Sequence, residues 1–427
     1  MIALGRQVSI MIKLSKFWII AIGAAVLLTE THPLSAEEVC RIEGAQDILD
    51  CALKHHPDVV NAQNEKLRDE KLVRVARQRP NLELDGRILG GENGGDAILS
   101  TETTLLHTLE LGGKRRKRID QAHVLMDQSA LNLRENSETT ALQTVLTLYR
   151  LRQITTELAS VDEAITTFDK LLRALRNRPQ LTPEQQVSKI SFELAREEYR
   201  LKKTVLVQEQ ENLTHLLELA TQVSYDRLEG FLPPFREEWP ASPAGQSVEG
   251  SEGSVVAKVR AEQRLAEANL KIARSKAWPD LKIGPTLETE SLTANRRTVG
   301  GVGIEMPIPV LNLNRGEKAF ASADKVRADS NLELTLRTTA VERAIQLKRY
   351  EAATKVLKSS QGVRYLGMKH KDIESFFERG LVPSTLILET HRQLYEITRT
   401  RNEQELTAID ALWRLYIIDG TVFDARI

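Results

Sequence analysis

The chain has 427 residues, long enough for two or three ordinary domains. Aromatic residues make up only 5% and charged residues 28%, with Ala, Leu, Glu, Gln, Arg and Thr abundant, a mixture that argues against ordinary globular packing and for long, exposed helices. The 59 basic and 59 acidic residues cancel, so no global field points to a nucleic-acid partner.

At the N-terminus, Lys13 and Lys16 precede an apolar run over residues 17–28, and a small-residue site follows at Ser35-Ala36. This pattern predicts a secretory signal peptide over residues 1–36, too short for a spanning helix. Leu34 leaves the cleavage site open, and Met11 is an alternative start. No later stretch approaches the ~18 apolar residues of a membrane helix, so any further encounter with a membrane must use strands. Cys40 and Cys51, the two cysteines, both follow the signal. In an exported chain such a pair can form a disulfide. Lipid attachment at Cys40 is the alternative, but Glu38-Val39 lacks the small residue expected before an acylated cysteine.

Residues 44–78 read as a helix broken or kinked at Pro57-Asp58 and ended by Pro80. Residues 82–89 then alternate, with Leu82, Leu84 and Ile88 on one face. A turn is expected over residues 90–95, and a second strand over 98–111. That strand places Leu99, Thr101, Thr103, Leu105, Leu109 and Leu111 on one face and Ser100, Glu102, Thr104 and Thr108 on the other. Strands of roughly nine residues with one apolar and one polar face suit a membrane barrel. An ordinary half-buried hairpin is the alternative.

From Lys114 to Arg176 there is neither Pro nor Gly, which predicts one helix of about 95 Å at 1.5 Å per residue. Leu142, Val145, Leu146 and Tyr149 mark a narrow apolar seam. After a turn over 177–183, Thr182 as N-cap, Pro183 and Gln185 restart a helix that runs to Thr221, with Leu213, Leu216, Leu217 and Ala220 on one face. A Pro-, Gly- and Ser-rich linker fills residues 226–253, partly ordered by Phe231, Phe235 and Trp239.

The second half repeats the first. A helix over 254–276 leads to a strand over 281–289, a polar turn over 293–297 and a strand over 299–308, with Pro307 and Pro309 at its end. Asn314-Arg315-Gly316 opens a helix over 317–377. A turn over 379–383 and a last helix to Ile418 follow, with Ile409, Leu412, Trp413 and Tyr416 on one side. The expected organisation is therefore signal 1–36, first repeat 37–225, linker 226–253, second repeat 254–420 and tail 421–427.

Four strands cannot close a barrel, and an open edge is not tolerated in lipid. Several copies must share one barrel: eight strands would be filled by side chains, whereas twelve can leave a channel. Over essentially the whole mature chain the sequence resembles the TolC-like outer-membrane efflux proteins. The resemblance rests on LELGGKRRKR at 109–118, PIPVLNLNRG at 307–316 and GLVPSTLILET at 380–390, the first two similar to the CzcC- and CusC-like heavy-metal branch. It implies a mainly α fold with a small membrane β part, and a homotrimer sharing a twelve-stranded barrel in the Gram-negative outer membrane. It also implies a periplasmic α-barrel that docks on a periplasmic adaptor and an inner-membrane pump of the RND type.

The basic run at 114–118 opposes the helix macrodipole, which gives it a positional reading: Lys114, Arg115 and Arg118 anchor the barrel base through lipid phosphates or neighbouring carboxylates. The resemblance makes the hairpin tips adaptor contacts, at Arg178 and Pro179 in the first and at Gly380, Leu381, Val382, Pro383 and Ser384 in the second. The first tip departs from the family, having no Gly. Glu389 falls at a gate position, where a ring of carboxylates attracts cations. Its neighbouring gate position is Leu386, a departure, and a plain surface glutamate beside His391 is the alternative. No histidine and carboxylate are expected to form a metal-ligand set at i, i+4 spacing, and no cofactor is expected. There is no nucleophile elbow, P-loop or HExxH, so no enzyme is read. Two rivals to the efflux duct are the outer-membrane duct of a type I protein secretion system and, in a different class, a periplasmic coiled-coil scaffold.

Overall fold

The computed structural model of the chain describes residues 40–93, 96–236, 238–241, 252–291, 296–360, 363–379 and 381–427. The expected signal peptide, the Gly94-Gly95 turn, most of the Gly/Ser linker and Gly380 lie outside the described residues. The chain divides into Met1–Arg41 and Ile42–Ile427, and the description below is of the second unit.

Three short helices open it: α1 (Ala45–His55), α2 (Pro57–Asp69) and α3 (Leu72–Arg77). The break at Pro57 is where the missing N–H demands it, and His56 caps the new helix by accepting from the Asp58 amide at 3.2 Å. A second break, at Glu70-Lys71, lies inside a run that reads as helical throughout.

Strands β1 (Glu83–Asn93) and β2 (Asp96–Leu109) lead into α4 (Lys114–Arg176), one helix of 63 residues with the expected bounds. Helix α5 (Pro183–Thr221) returns from it. Its first turn carries the full capping box: Thr182 Oγ1 accepts from the Gln185 amide at 3.3 Å, and Gln185 Oε1 accepts from the Thr182 amide at 3.1 Å. Two short 3-10 turns, Tyr225–Arg227 and Glu229–Phe231, begin the link to α6 (Ser254–Ser275).

Strands β3 (Leu281–Ser291) and β4 (Arg296–Glu305) follow, then α7 (Arg315–Ser359), α8 (Val363–Glu378), α9 (Ser384–Ile418) and a 3-10 turn, Val422–Asp424. The order of helix, strand pair and helical hairpin thus occurs twice.

Four expectations need correction. Gly90 and Gly91 belong to β1, paired with Leu99 and Ile98, so the strand outlasts the expected turn. Arg296 and Arg297 belong to β4, opposite Ser291 and Glu290; cross-strand pairing of unlike charge holds residues that read as a polar turn. The strand stops at Glu305, before the two prolines that cannot donate to a ladder. The helix expected over 317–377 is two helices. At the end of α7 the hydroxyls of Ser359 and Ser360 donate to the carbonyls of Val356 and Leu357, at 3.1 and 3.2 Å, competing with the helical ladder where it ends.

The core runs along the bundle rather than filling a ball. One cluster joins Leu142, Val145 and Tyr149 of α4 to Tyr350 and Leu357 of α7 and Ile409, Leu412 and Trp413 of α9. A second joins Ile154, Phe168 and Leu172 of α4 to Phe192 and Tyr199 of α5 and Tyr395 of α9. Burying each such side chain contributes about 1.5–3 kcal/mol. Leu146 and Leu213 pack at the margins of these clusters, while Leu216, expected on the packed face of α5, is exposed.

Candidate functional site: a two-faced sheet, two junctions and two hairpin tips

The strands form one antiparallel sheet in the order β1-β2-β3-β4, so β1 and β4 are its edges. The register sorts the side chains into two faces. Leu84 pairs with Leu105, Thr103 with Leu287, Pro285 with Val302, and Ile283 with Ile304. On this face Leu84 is 73% exposed and Ile88 71%, apolar surface that the chain itself leaves bare. The opposite face is polar. Lys282 reaches Glu83 at 2.6 Å and Glu305 at 3.7 Å, Thr104 and Thr286 share a 2.5 Å hydroxyl contact, and Ser100 donates to Glu288 at 3.3 Å. A sheet apolar on one side and hydrogen-bonded through charges on the other suits lipid outside and water inside. The β2–β3 ladder is interrupted between Thr104–Thr286 and His107–Ile283, where Pro285 has no N–H to give. At Gly284 an added Cβ would lie 1.8 Å from the Leu105 carbonyl oxygen, so only glycine fits there.

Below the sheet the first strand-to-helix junction uses Gly112 and Gly113, both left-handed at φ +70 and +71. A Cβ on Gly112 would collide with the Ser275 carbonyl and the Trp278 side chain. Lys114, Arg115 and Arg118 of the basic run beside it are bonded within the chain. Lys114 pairs with Asp280 at 2.7 Å, and Arg118 with Glu110 at 2.6 Å. Arg115 and Arg118 also donate to the carbonyls of Arg77, Ala76 and Gln78, which end α3. The hydrogen bond to Glu110 holds the Arg118 guanidinium above its ordinary pKa. These cations are therefore matched by carboxylates and helix-end carbonyls, and the unfavourable macrodipole is offset locally. At the second junction Asn314 takes the left-handed conformation at φ 57, its amide side chain donating to the Ala273 carbonyl at 2.9 Å and to Glu317 at 2.8 Å.

At the far end the two hairpin tips converge: Ser384, at the start of α9, donates to Ser188 on α5 at 3.3 Å. Leu381 is 65% exposed. Arg178 and Pro179 are likewise exposed in the first turn. Glu389 is held in a bidentate pair by Arg392, at 2.8 and 2.9 Å, and accepts from Gln393 at 2.7 Å. The bond from Arg392 lowers its pKa, so Glu389 is an ionised carboxylate with a cation already on it. His391, two residues on, faces the interior instead.

Against the expectation of no histidine–carboxylate set at i, i+4, the structure brings one such group of side chains together. His370 and Glu374, at i, i+4 on α8, meet His391 of α9 within ligand distance of one another. The spacing of His370 and Glu374 was readable; that His391 joins them was not.

Along α5, Val187, Ile190, Leu194, Leu201 and Val205 form an exposed apolar stripe, and α7 carries exposed Phe320, Val326, Leu334 and Val341. Among the described residues no helix is long and apolar enough to cross a membrane.

No protein-family model and no curated protein matches the sequence. Solved structures do match. The Campylobacter jejuni CmeC outer membrane channel aligns over 89% of this chain and 86% of its own, at 15% identity and a TM-score of 0.69. The outer-membrane channel OprN aligns over 88% and 89%, at 14% identity and a TM-score of 0.70. CusC, whose structures concern folding and transmembrane channel formation, aligns over 92% and 95%, at 14% identity and a TM-score of 0.68. The chain has the fold of these channels.

Proposed function

We propose that the chain is the outer-membrane subunit of a tripartite efflux system, a conduit and not an enzyme, three copies of which share a twelve-stranded barrel. The observation that carries this reading is the sheet: apolar on one face, polar on the other, and with both edge strands available to a neighbouring copy. A sheet open in lipid would leave unpaired backbone groups at several kcal/mol each, so edge β1 of one copy pairs with edge β4 of the next. The bare apolar stripes on α5 and α7 give the helical hairpins their lateral contact in the same ring. The fold shared with outer-membrane channels supports the location, the barrel in the outer membrane and the hairpins in the periplasm.

In this reading the tips, at Arg178 and Pro179 and at residues 380–384, meet a periplasmic adaptor that joins an inner-membrane RND-type pump, and Leu386 with Glu389 narrows the mouth. For Glu389 to attract cations, Arg392 must release it. Lys114, Arg115 and Arg118 fix the base of the barrel by tying the junction to α3 and to the entry of β3. The cargo is heavy-metal cations, supported by the CzcC- and CusC-like motifs at 109–118 and 307–316. The division into signal 1–36, repeats 37–225 and 254–420, linker 226–253 and tail 421–427 belongs to the same proposal. So does a Cys40–Cys51 disulfide, readable as a mobility change on reduction.

The experiment is fractionation with crosslinking. The mature protein is expected in the outer membrane, crosslinking as a trimer, and a deletion strain is expected to lose tolerance to cobalt, zinc, cadmium, copper or silver. Recovery as a soluble periplasmic protein, or as a monomer in the membrane, overturns the shared barrel. Full tolerance to those metals, with the trimer intact, overturns the cargo alone.

A further inference from the structure

A cluster of side chains inside the bundle has no part in a water-filled duct. His370 and His391 are both 97% buried, with ring centroids 4.4 Å apart, and three of their nitrogens, Nδ1 and Nε2 of His370 and Nε2 of His391, have no hydrogen-bond partner among the described residues. Glu374 lies between them, its Oε1 at 3.4 Å from His370 Nε2 and 3.7 Å from His391 Nε2. Glu163 of α4 approaches His370 Nε2 at 3.8 Å. Phe168 closes one side against the His391 ring, and Thr167 donates to Glu374 at 3.5 Å.

A core that needed only filling would carry apolar rings here, because buried donors and acceptors without partners are costly. In tetrahedral coordination with bonds of about 2.0–2.1 Å, donor atoms stand about 3.3 Å apart. Glu374 Oε1 stands at nearly that spacing from a nitrogen of each imidazole, and the three ligand atoms lie within 4.8 Å of one another. Two imidazoles with one or two carboxylates is a donor set for a borderline divalent transition metal, not for magnesium or calcium, which take oxygen alone.

We propose that His370, Glu374 and His391, with Glu163 as a fourth donor, form a resident site for one divalent transition-metal cation of the zinc type. His391 lies about 10 Å along α9 from its first residue, at 1.5 Å per residue. The bound cation therefore staples α8, the short helix after the break, to α9 and α4 just inside the paired tips. It sets the rigidity of the second hairpin where the first reading puts the mouth. The site does not depend on what the duct conducts, and its test needs no transport.

The test uses the full mature protein, stripped with a chelator and titrated with Co2+ and then Zn2+. One Co2+ per chain is expected, with the visible absorption of tetrahedral nitrogen and oxygen ligation, displaced by Zn2+, and Zn2+ is expected to raise the melting temperature. His370→Ala with His391→Ala should abolish both effects. Glu374→Gln should weaken binding at least tenfold, and His215→Ala, at an exposed position on α5, should leave it unchanged. His391→Phe, which keeps an aromatic ring against Phe168, serves if the alanine variants fail to fold, and it too should lose the cobalt spectrum. A stripped wild type that binds no Co2+, or binding that survives His391→Phe and Glu374→Gln unchanged, overturns the site.

Discussion

The two strand-to-helix junctions solve one geometric problem by different means. In the first repeat, residues 110–113 turn β2 directly into α4 through two left-handed glycines. In the second, residues 306–314 take a longer path, stiffened by Pro307 and Pro309, and turn at the single left-handed Asn314. Both dock on the same place, the end of α6. Gly112 lies against Ser275 and Trp278, Lys114 bonds Asp280, Asn314 bonds the Ala273 carbonyl, and Lys276 bonds Glu317 at 2.7 Å. The short junction is constrained by space and the long one by hydrogen bonds. At the turn residue itself, added volume should therefore harm the first junction, and loss of the side-chain amide should harm the second.

The largest difference is expected at Gly112. An alanine there meets the left-handed backbone penalty of roughly 1–2 kcal/mol per residue and an overlap with α6 worth about 1–3 kcal/mol. Gly112→Ala should lower the melting temperature sharply and reduce the yield of folded protein. Asn314→Gly keeps the turn and loses only the side-chain bonds, at a cost of ~1 kcal/mol. Equal melting temperatures for these two variants would break the distinction between a packed junction and a bonded one.

Next come the ion pairs that fasten each junction. Lys114 is 18% exposed, whereas Lys276 is 52% exposed. A partly buried, charge-assisted bond contributes about 1.5–3 kcal/mol, and an exposed pair is screened. Lys114→Met should lower the melting temperature measurably, with little dependence on salt, and Lys276→Met should be nearly silent. A silent Lys114→Met would mean that the bond to Asp280 does not fasten the junction.

These contrasts also show what a sequence discloses. The bounds of α4 were legible because nothing between Lys114 and Arg176 can end a helix, and the capping box at Thr182 was legible because it is local. The sheet faces were legible from alternation. Asp280, the partner of Lys114, was not, since it lies 166 residues away and the repeat must fold back to bring it there. The histidine cluster was hidden for a similar reason. Its donors come from α8 and α9 across a turn, and from α4, and the polar spacing of His370 and Glu374 resembles any solvated helix face. The break after α7 was missed because serines in a long polar helix are common, and only their bonds to the preceding turn mark the end.

The tips extend the comparison. The first hairpin restarts with a capping box, while Pro383, at the N-cap of α9, makes no side-chain cap. Thr182→Ala removes an acceptor for a helix-end amide and should cost ~1 kcal/mol, loosening the start of α5. Ser384→Ala, which removes only the bond to Ser188, should cost less. Hydrogen exchange at the two tips separates these effects, and equal protection loss in both variants would show that the tips open together.

The smallest expected effect lies at one buried acid. Helix α4 buries an acid, Glu138, and α7 buries a neutral amide, Gln346. Burial pushes the Glu138 carboxyl above its ordinary pKa, only partly opposed by the Ser254 hydroxyl and by Arg134, which donates at 2.8 Å. A folded pKa above the unfolded value means the fold holds this proton more tightly. The resulting stabilisation is complete below the unfolded value of 4.5 and is lost as pH rises through the folded one. At neutral pH Glu138 is thus a mild liability. Glu138→Gln should raise the melting temperature at pH 7 and leave it unchanged near pH 4. The reverse order would mean that the Arg134 bond outweighs burial and that the acid is the stabilising choice in α4.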